Sequence, residues 1–140
     1  MRLDLYQVET MRIAAEQSAI LRSAKSILMA GRGLNPLEQS GVLHALQILI
    51  ENAIGKAKHW LKANDRVVPI SGYDAFKALV ESGTITQDQL PAWNAVIGLR
   101  NRIVHDYMNI DFEQVLAMLQ GNKEQFIVDF LNKPFPRESQ

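Results

Sequence analysis

The chain has 140 residues, enough for one domain with a hydrophobic core but too few for two. Lysine plus arginine and aspartate plus glutamate number 15 each, so no global charge attracts nucleic acid and any polyanion must be recognised locally. There is no cysteine, which excludes disulfides, thiolate metal sites and cysteine nucleophiles. The sequence lacks both a signal pattern and an apolar run of the roughly 20 residues that a spanning helix needs, so we predict a cytoplasmic protein.

Two long amphipathic helices are predicted in the first half of the chain. The first runs from about Leu3 to Ala30 and ends at Gly31, because glycine readily takes the left-handed conformation at a helix end. Its predicted buried stripe consists of Val8, Met11, Ala15, Ile20, Ala24, Ile27 and Leu28. The second begins at Asn35-Pro36, a cap residue followed by a first-turn proline, and lasts to about Asn64. Two long helices in a small domain favour a bundle.

Shorter helices are predicted in the second half of the chain. One spans Gly72 to Ser82. The segment Thr86 to Gln89 matches a capping box and opens a fourth helix, in which Pro91 separates a first turn from the rest. Strand signals are weak, since Pro69 interrupts the only β-branched run.

A fifth helix is predicted to begin at Asn109 or Asp111, to bend at Gly121-Asn122 and to end before Pro134. The resulting fold class is all-α, an up-and-down bundle of four to five helices. We predict one domain over residues 1–133 and a flexible tail over residues 134–140.

The segment from Arg100 to Tyr107 is the most informative part of the chain. Helical spacing places Trp93, Val96, Ile97 and Val104 on one apolar face, and Arg100 falls on that same face. A guanidinium keeps its charge, so an apolar wall is a costly position for it without an anionic partner. This cost indicates that Arg100 has a function.

Arg100 and His105 are five residues apart, so on a regular helix their side chains point about 140° away from each other. Two arrangements would bring them together. The helix could end near Val104, so that His105 and Tyr107 turn back on the exit segment, or a two-fold dimer could place two such segments opposite each other. Asn101 and His105 share a face in either case.

These side chains suit the cleavage of a phosphodiester bond in RNA. Histidine can take or give a proton near neutral pH, and arginine can stabilise charge on a phosphate. The ribose 2′-hydroxyl is itself the nucleophile, so no metal and no cofactor is required. The alternative is structural: an arginine near a helix C-terminus also satisfies carbonyl groups and the helix dipole, and a histidine beside it can simply pack.

The pattern Arg100-x4-His105-x-Tyr107, with Asn101 after the arginine, resembles the signature of HEPN-domain toxins of the HepT type. In that family the motif lies at the end of the penultimate long helix of a small helical domain, and the similarity extends over most of this chain. The resemblance implies a homodimer, or a higher assembly with an antitoxin, whose two motifs form one composite site. It also implies metal-independent RNA cleavage by Arg100 and His105, with Asn101 orienting the site.

By the same resemblance, Tyr107 would accept AMP from a partner nucleotidyltransferase antitoxin of the MntA type. The chain would then be the toxin of a type VII-like pair that cleaves RNA, with tRNA as one candidate substrate. A bulky, negatively charged group near Arg100 would occupy the cation and block RNA. The alternative function is a non-catalytic helical adaptor that presents substrates to a nucleotidyltransferase.

The other two histidines give no metal-site pattern, because neither has a histidine or cysteine at helical spacing. We predict His44 to be a core or interface residue. His59-Trp60 could stack on a base, but Trp60 continues an apolar stripe and is predicted to be core. The lysines of the second helix, Lys56, Lys58 and Lys62, are predicted to form a solvated face.

Overall fold

The computed structural model describes residues 3–134. These residues form six α-helices: α1 Leu3–Met29, α2 Pro36–Ala63, α3 Gly72–Glu81, α4 Leu90–His105, α5 Phe112–Gln120 and α6 Gln125–Asn132. Short 3-10 turns at Gln87–Gln89 and Tyr107–Asn109 lie on either side of α4. The predicted all-α bundle is confirmed, but it has one helix more than the four to five expected.

The starts of the helices follow the capping residues in the sequence. The side chain of Asn35 accepts a hydrogen bond from the backbone N–H of Glu38, whose carboxylate accepts one from the backbone N–H of Asn35. Ser71 caps α3 by accepting from the N–H of Asp74. Such caps satisfy backbone donors that a helix leaves unpaired in its first turn.

The extra helix arises because the bend predicted at Gly121-Asn122 is a complete break between α5 and α6. Asn122 has a φ of 53°, in the left-handed region, which ends the α5 hydrogen-bond pattern. Lys25 of α1 donates to the Asn122 side chain at 2.8 Å and forms an ion pair with buried Glu124. The break is therefore fixed by contacts with α1, which a local sequence pattern does not contain.

The buried face of α1 differs from the predicted stripe. Val8 and Met11 are 66% and 43% exposed, and Ile20 is also exposed, whereas Thr10, Ala14, Ser18, Leu21 and Ala24 are buried. Of the predicted stripe, Ala24 is buried and Ile27 and Leu28 pack partly buried against the core, whereas Ala15 is exposed. Small side chains on this face allow the backbone of α1 to approach α2 and α6, its principal neighbours. Close packing of small residues thus outweighed the burial of larger apolar ones.

The core is centred on aromatic side chains from several helices. Phe76 of α3 stacks on Trp93 of α4 with ring centroids 4.2 Å apart, and Phe126 and Phe130 of α6 meet Trp93 edge-on. Trp60 of α2 is also buried, as predicted. The burial of Trp93 fixes α4 in the bundle and so sets the direction in which the rest of that helix points.

Lys56 of α2 is buried, with 1% of its surface exposed, and does not belong to the predicted solvated face. Its Nζ donates to the carbonyl oxygens of Phe130 and Lys133 at 2.5 Å each, and lies 3.5 Å from that of Leu131. These carbonyls belong to the last turn of α6 and the residue after it, where a helix lacks internal donors. Lys56 therefore caps α6 from another helix.

No helix within residues 3–134 is long and apolar enough to cross a membrane. The predicted tail begins at Pro134, and residues 135–140 lie outside the described part of the chain.

Candidate active site

Helix α4 carries the predicted site residues at its C-terminal end. Its buried positions in this part are Val96, Ile97, Leu99 and Ile103, spaced at i, i+1, i+3 and i+7. Val104, predicted to lie on the apolar face, is instead 41% exposed. The core side of the last turn is thus occupied by Ile103, and Arg100 lies at the edge of the core with 28% of its side chain exposed.

The guanidinium of Arg100 has the anionic partner that its position requires. Its Nε and Nη2 donate to Oε2 of Glu51 on α2, at 2.9 Å and 2.8 Å, and its Nη1 donates to Oδ1 of Asn101 at 3.1 Å. These contacts use three of the five N–H groups of a guanidinium, so two remain for a ligand. Arg100 is held in one orientation while keeping part of its donor capacity.

Glu51 was not among the residues selected from the sequence. The signal was the polar series His44, Gln47 and Glu51, which recurs at helical spacing within an otherwise apolar stretch of α2. Gln47 donates to the same Oε2 of Glu51 at 3.3 Å. His44 is exposed, so it is not a core residue, and its place in an interface stays a prediction. The spacing of these three residues indicates a polar stripe on α2, but it does not indicate that the stripe faces α4.

The structure brings Arg100 and Asn101 together but does not join them to His105 and Tyr107. Helix α4 continues through His105 and ends at Asp106, whose φ and ψ are −148° and 46°. His105 is exposed, and Tyr107, which starts the following turn, is 50% exposed. Because His105 is still helical, an early end of the helix does not bring it back toward Arg100 within one chain.

His59 and Trp60 are occupied within the fold. The His59 ring lies 4.0 Å from that of Tyr6, and burial, followed by the charge of Lys62, lowers the pKa of His59. Trp60 is 2% exposed and therefore has no face for a base. No group of three or more His, Asp or Glu side chains in the described residues is placed to hold a metal ion.

The helical bundle has the fold of a HEPN toxin in a solved structure. A family model described as "Ribonuclease HepT-like" matches residues 15–132. The chain belongs to this HepT-like ribonuclease family. It is also 32% identical over 88 residues to the mRNA nuclease HepT of Shewanella oneidensis, in an alignment that spans 63% of this chain and 66% of that protein.

Solved structures of toxin–antitoxin complexes have the same fold. One, a complex with AMP-PNP, matches with a TM-score of 0.76 at 21% identity, over 90% of this chain and 97% of that one. Another contains the tri-AMPylated HEPN toxin of Shewanella oneidensis with an MNT antitoxin. It matches with a TM-score of 0.71 at 22% identity, over 94% of this chain and 97% of that one.

Proposed function

We propose that this protein is the toxin of a toxin–antitoxin pair and cleaves RNA without a metal ion. The observation that carries the proposal is the arrangement of α4 in a HepT-like chain: a positioned, partly exposed Arg100 with two N–H groups to spare and an exposed His105 in the last turn. The relative from Shewanella oneidensis is named as an mRNA nuclease, which supports RNA as the substrate.

In the proposed reaction, neutral His105 takes the proton from a ribose 2′-hydroxyl, and the oxygen attacks the adjacent phosphorus. The bond from phosphorus to the 5′-oxygen of the next nucleotide breaks, and that oxygen receives the proton that His105 now carries. Arg100 binds the phosphate and stabilises the negative charge that develops on it. Asn101 keeps the guanidinium in place through the contact with Nη1.

The proposal includes a homodimer, since His105 and Arg100 of one chain point in different directions around α4. Two copies related by a two-fold axis can place the His105 of each chain toward the Arg100 of the other. The site would then be composite, with neither chain sufficient alone.

The cleavage experiment uses purified protein, tRNA and mRNA transcripts, and EDTA. We expect cleavage to persist with the chelator and to fall at least a hundredfold in Arg100→Ala and in His105→Ala. Arg12→Ala is the matched control, because it removes an exposed ion-paired arginine of α1 and should leave the rate unchanged. Unchanged cleavage in both site variants would contradict the proposal, and absence of cleavage with tight binding to a nucleotidyltransferase would support the adaptor instead.

We further propose that Tyr107 accepts AMP from an MntA-type nucleotidyltransferase. Its half-exposed phenol starts the turn after His105, and an AMPylated toxin is present in one of the similar structures. Incubation with the antitoxin and ATP should add mass at Tyr107 and abolish cleavage. Tyr107→Phe should take up no AMP and remain active, whereas Tyr73→Phe, at a second partly exposed tyrosine, should still be modified and inhibited.

A further inference from the structure

Arg102 lies on the same face of α4 as His105 and has no partner among the described residues. This face covers about 100° around the helix axis and contains Gly98, Asn101, Arg102 and His105. Arg102 is exposed and has neither a hydrogen bond nor a carboxylate within ion-pair distance in this part of the chain. By contrast, Arg100 is bound to Glu51.

The carboxylate at helical pairing distance along the sequence from Arg102 is engaged elsewhere. Asp106 is four residues further on, the spacing at which opposite charges pair on a helix. However, Asp106 is the C-cap of α4, and its Oδ1 accepts a hydrogen bond from Nδ2 of Asn109 at 2.7 Å. This contact within the following turn directs the carboxylate to Asn109 and leaves the Arg102 cation available.

A second donor lies beside Arg102. A Cβ atom added to Gly98 would be 3.4 Å from the hydroxyl of Tyr73 and 3.7 Å from Nη1 of Arg102, so both groups lie around the same point. Tyr73 comes from the first turn of α3 and is 38% exposed. The backbone of Gly98 therefore lies beside both a permanent cation and a phenol. Along α4, Arg102 is about one helical turn from His105 and Gly98 about two turns.

We propose that Arg102 and Tyr73 bind the phosphate of the RNA nucleotide next to the cleaved bond. A guanidinium offers a charged fork of N–H donors to phosphate oxygens, and a phenol adds a neutral donor. The inference rests on the proposed ribonuclease function, and it adds a second phosphate contact that sets substrate affinity. Because the chain has no net positive charge, such a local cation contributes a large share of the attraction for RNA.

The test measures binding and cleavage separately. Binding of a short 2′-O-methyl RNA, which cannot be cleaved, is followed by fluorescence anisotropy at several salt concentrations. Arg102→Ala should weaken binding about tenfold. It should also reduce the slope of log association constant against log salt concentration by about 0.7, the value for one phosphate contact on single-stranded RNA. In cleavage assays KM should rise by a similar factor, while kcat stays within about twofold. Tyr73→Phe should show a smaller loss of affinity in the same direction.

Arg22→Ala is the matched control, because Arg22 of α1 is also exposed and without a partner among the described residues. It should leave affinity and salt dependence unchanged, and Arg102→Lys should recover most of the salt dependence. Equal effects of Arg102→Ala and Arg22→Ala would overturn the inference, as would a fall in kcat with KM unchanged, or a loss of antitoxin binding alone. If the wild-type protein cleaved no RNA but Arg102→Ala still lost affinity, the ribonuclease proposal would fail and the phosphate contact would stand.

Discussion

Glu51 determines how Arg100 is presented, although it lies on a different helix. Its Oε2 receives two N–H groups of the guanidinium and one from Gln47. A side chain held at both its Nε and Nη2 loses rotational freedom before a ligand arrives, which lowers the entropy cost of binding a phosphate in one geometry. We regard Glu51 as a positioning residue for the proposed reaction.

Glu51→Ala should lower the rate of RNA cleavage about tenfold, because Arg100 is then free to leave its position. Glu51→Gln should retain most of the rate, since an amide oxygen still accepts from the guanidinium. The free energy of unfolding should change by no more than about 1 kcal/mol in either variant, because the ion pair is partly exposed. Single-turnover kinetics and urea denaturation give the two quantities.

The control for this pair is Glu16→Ala, which removes an exposed ion-pair partner of Arg12 on α1. It should leave cleavage unaffected. A wild-type cleavage rate in Glu51→Ala would show that Arg100 needs no external support. A loss of stability as large as the loss of activity would indicate a structural role for Glu51.

Among the helices, α6 is short and depends on α2 for its C-terminal end. Lys56 supplies donors to the carbonyl groups of Phe130 and Lys133, and its ammonium lies 5.0 Å from the centre of the Phe130 ring. Burial and the charge of Lys133 lower the pKa of Lys56 to about 8. In the unfolded chain a lysine titrates near 10.4.

Lys56→Met should destabilise the protein by about 1–3 kcal/mol, because buried carbonyl groups lose their donor. As the pH rises through about 8, the folded protein releases the Lys56 proton while the unfolded chain keeps it until about 10.4. The folded form is therefore favoured increasingly over this window, and the stability difference between wild type and Lys56→Met should be larger at pH 9 than at pH 7. Urea denaturation at the two pH values measures it.

Lys62→Met on the same helix is the control, since Lys62 is exposed. Its free energy of unfolding should stay within about 0.5 kcal/mol of that of wild type at both pH values, so that the two proteins show the same pH dependence. A difference in free energy of unfolding between wild type and Lys56→Met that is smaller at pH 9 than at pH 7 would contradict the lowered pKa.

At the scale of the whole molecule, the proposed dimer makes a prediction about mixed chains. Light scattering should give twice the chain mass of 15.8 kDa. Chains with Arg100→Ala and chains with His105→Ala should each be inactive alone, but co-expressed they should recover part of the cleavage, because a mixed dimer keeps one intact residue of each type. No recovery from a confirmed mixed dimer would argue against a composite site.

The local sequence predicted most of the helix boundaries because caps are local. Asn35 and Ser71 bond to backbone groups only three residues away, so their effect can be read from neighbouring positions. The face of α1 could not be read in this way. That helix has apolar residues on two sides, and the choice between them depends on how closely α2 and α6 approach.

The candidate site shows the same division between local and distant information. The segment Arg100 to Tyr107 was recognised from its own spacing, and the need of Arg100 for an anionic partner followed from its charge. The identity of that partner did not follow, because Glu51 lies 49 positions earlier and only the packing of α2 on α4 brings the two together. Likewise, the break after α5 depends on Lys25 of α1.

The ion pair between Glu51 and Arg100 also weakens the long-range electrostatic attraction that Arg100 exerts on polyanions such as RNA. A carboxylate and a guanidinium in contact form a dipole whose field decays faster with distance than that of a lone cation, and dissolved salt weakens it further. Arg100 therefore attracts passing polyanions only weakly, and the long-range attraction at this end of α4 comes from Arg102, which has no partner among the described residues. Binding at Arg100 thus depends on a phosphate group reaching its free N–H groups at short range. General attraction to RNA is not enough to fill this position, so only transcripts that fit it are bound there.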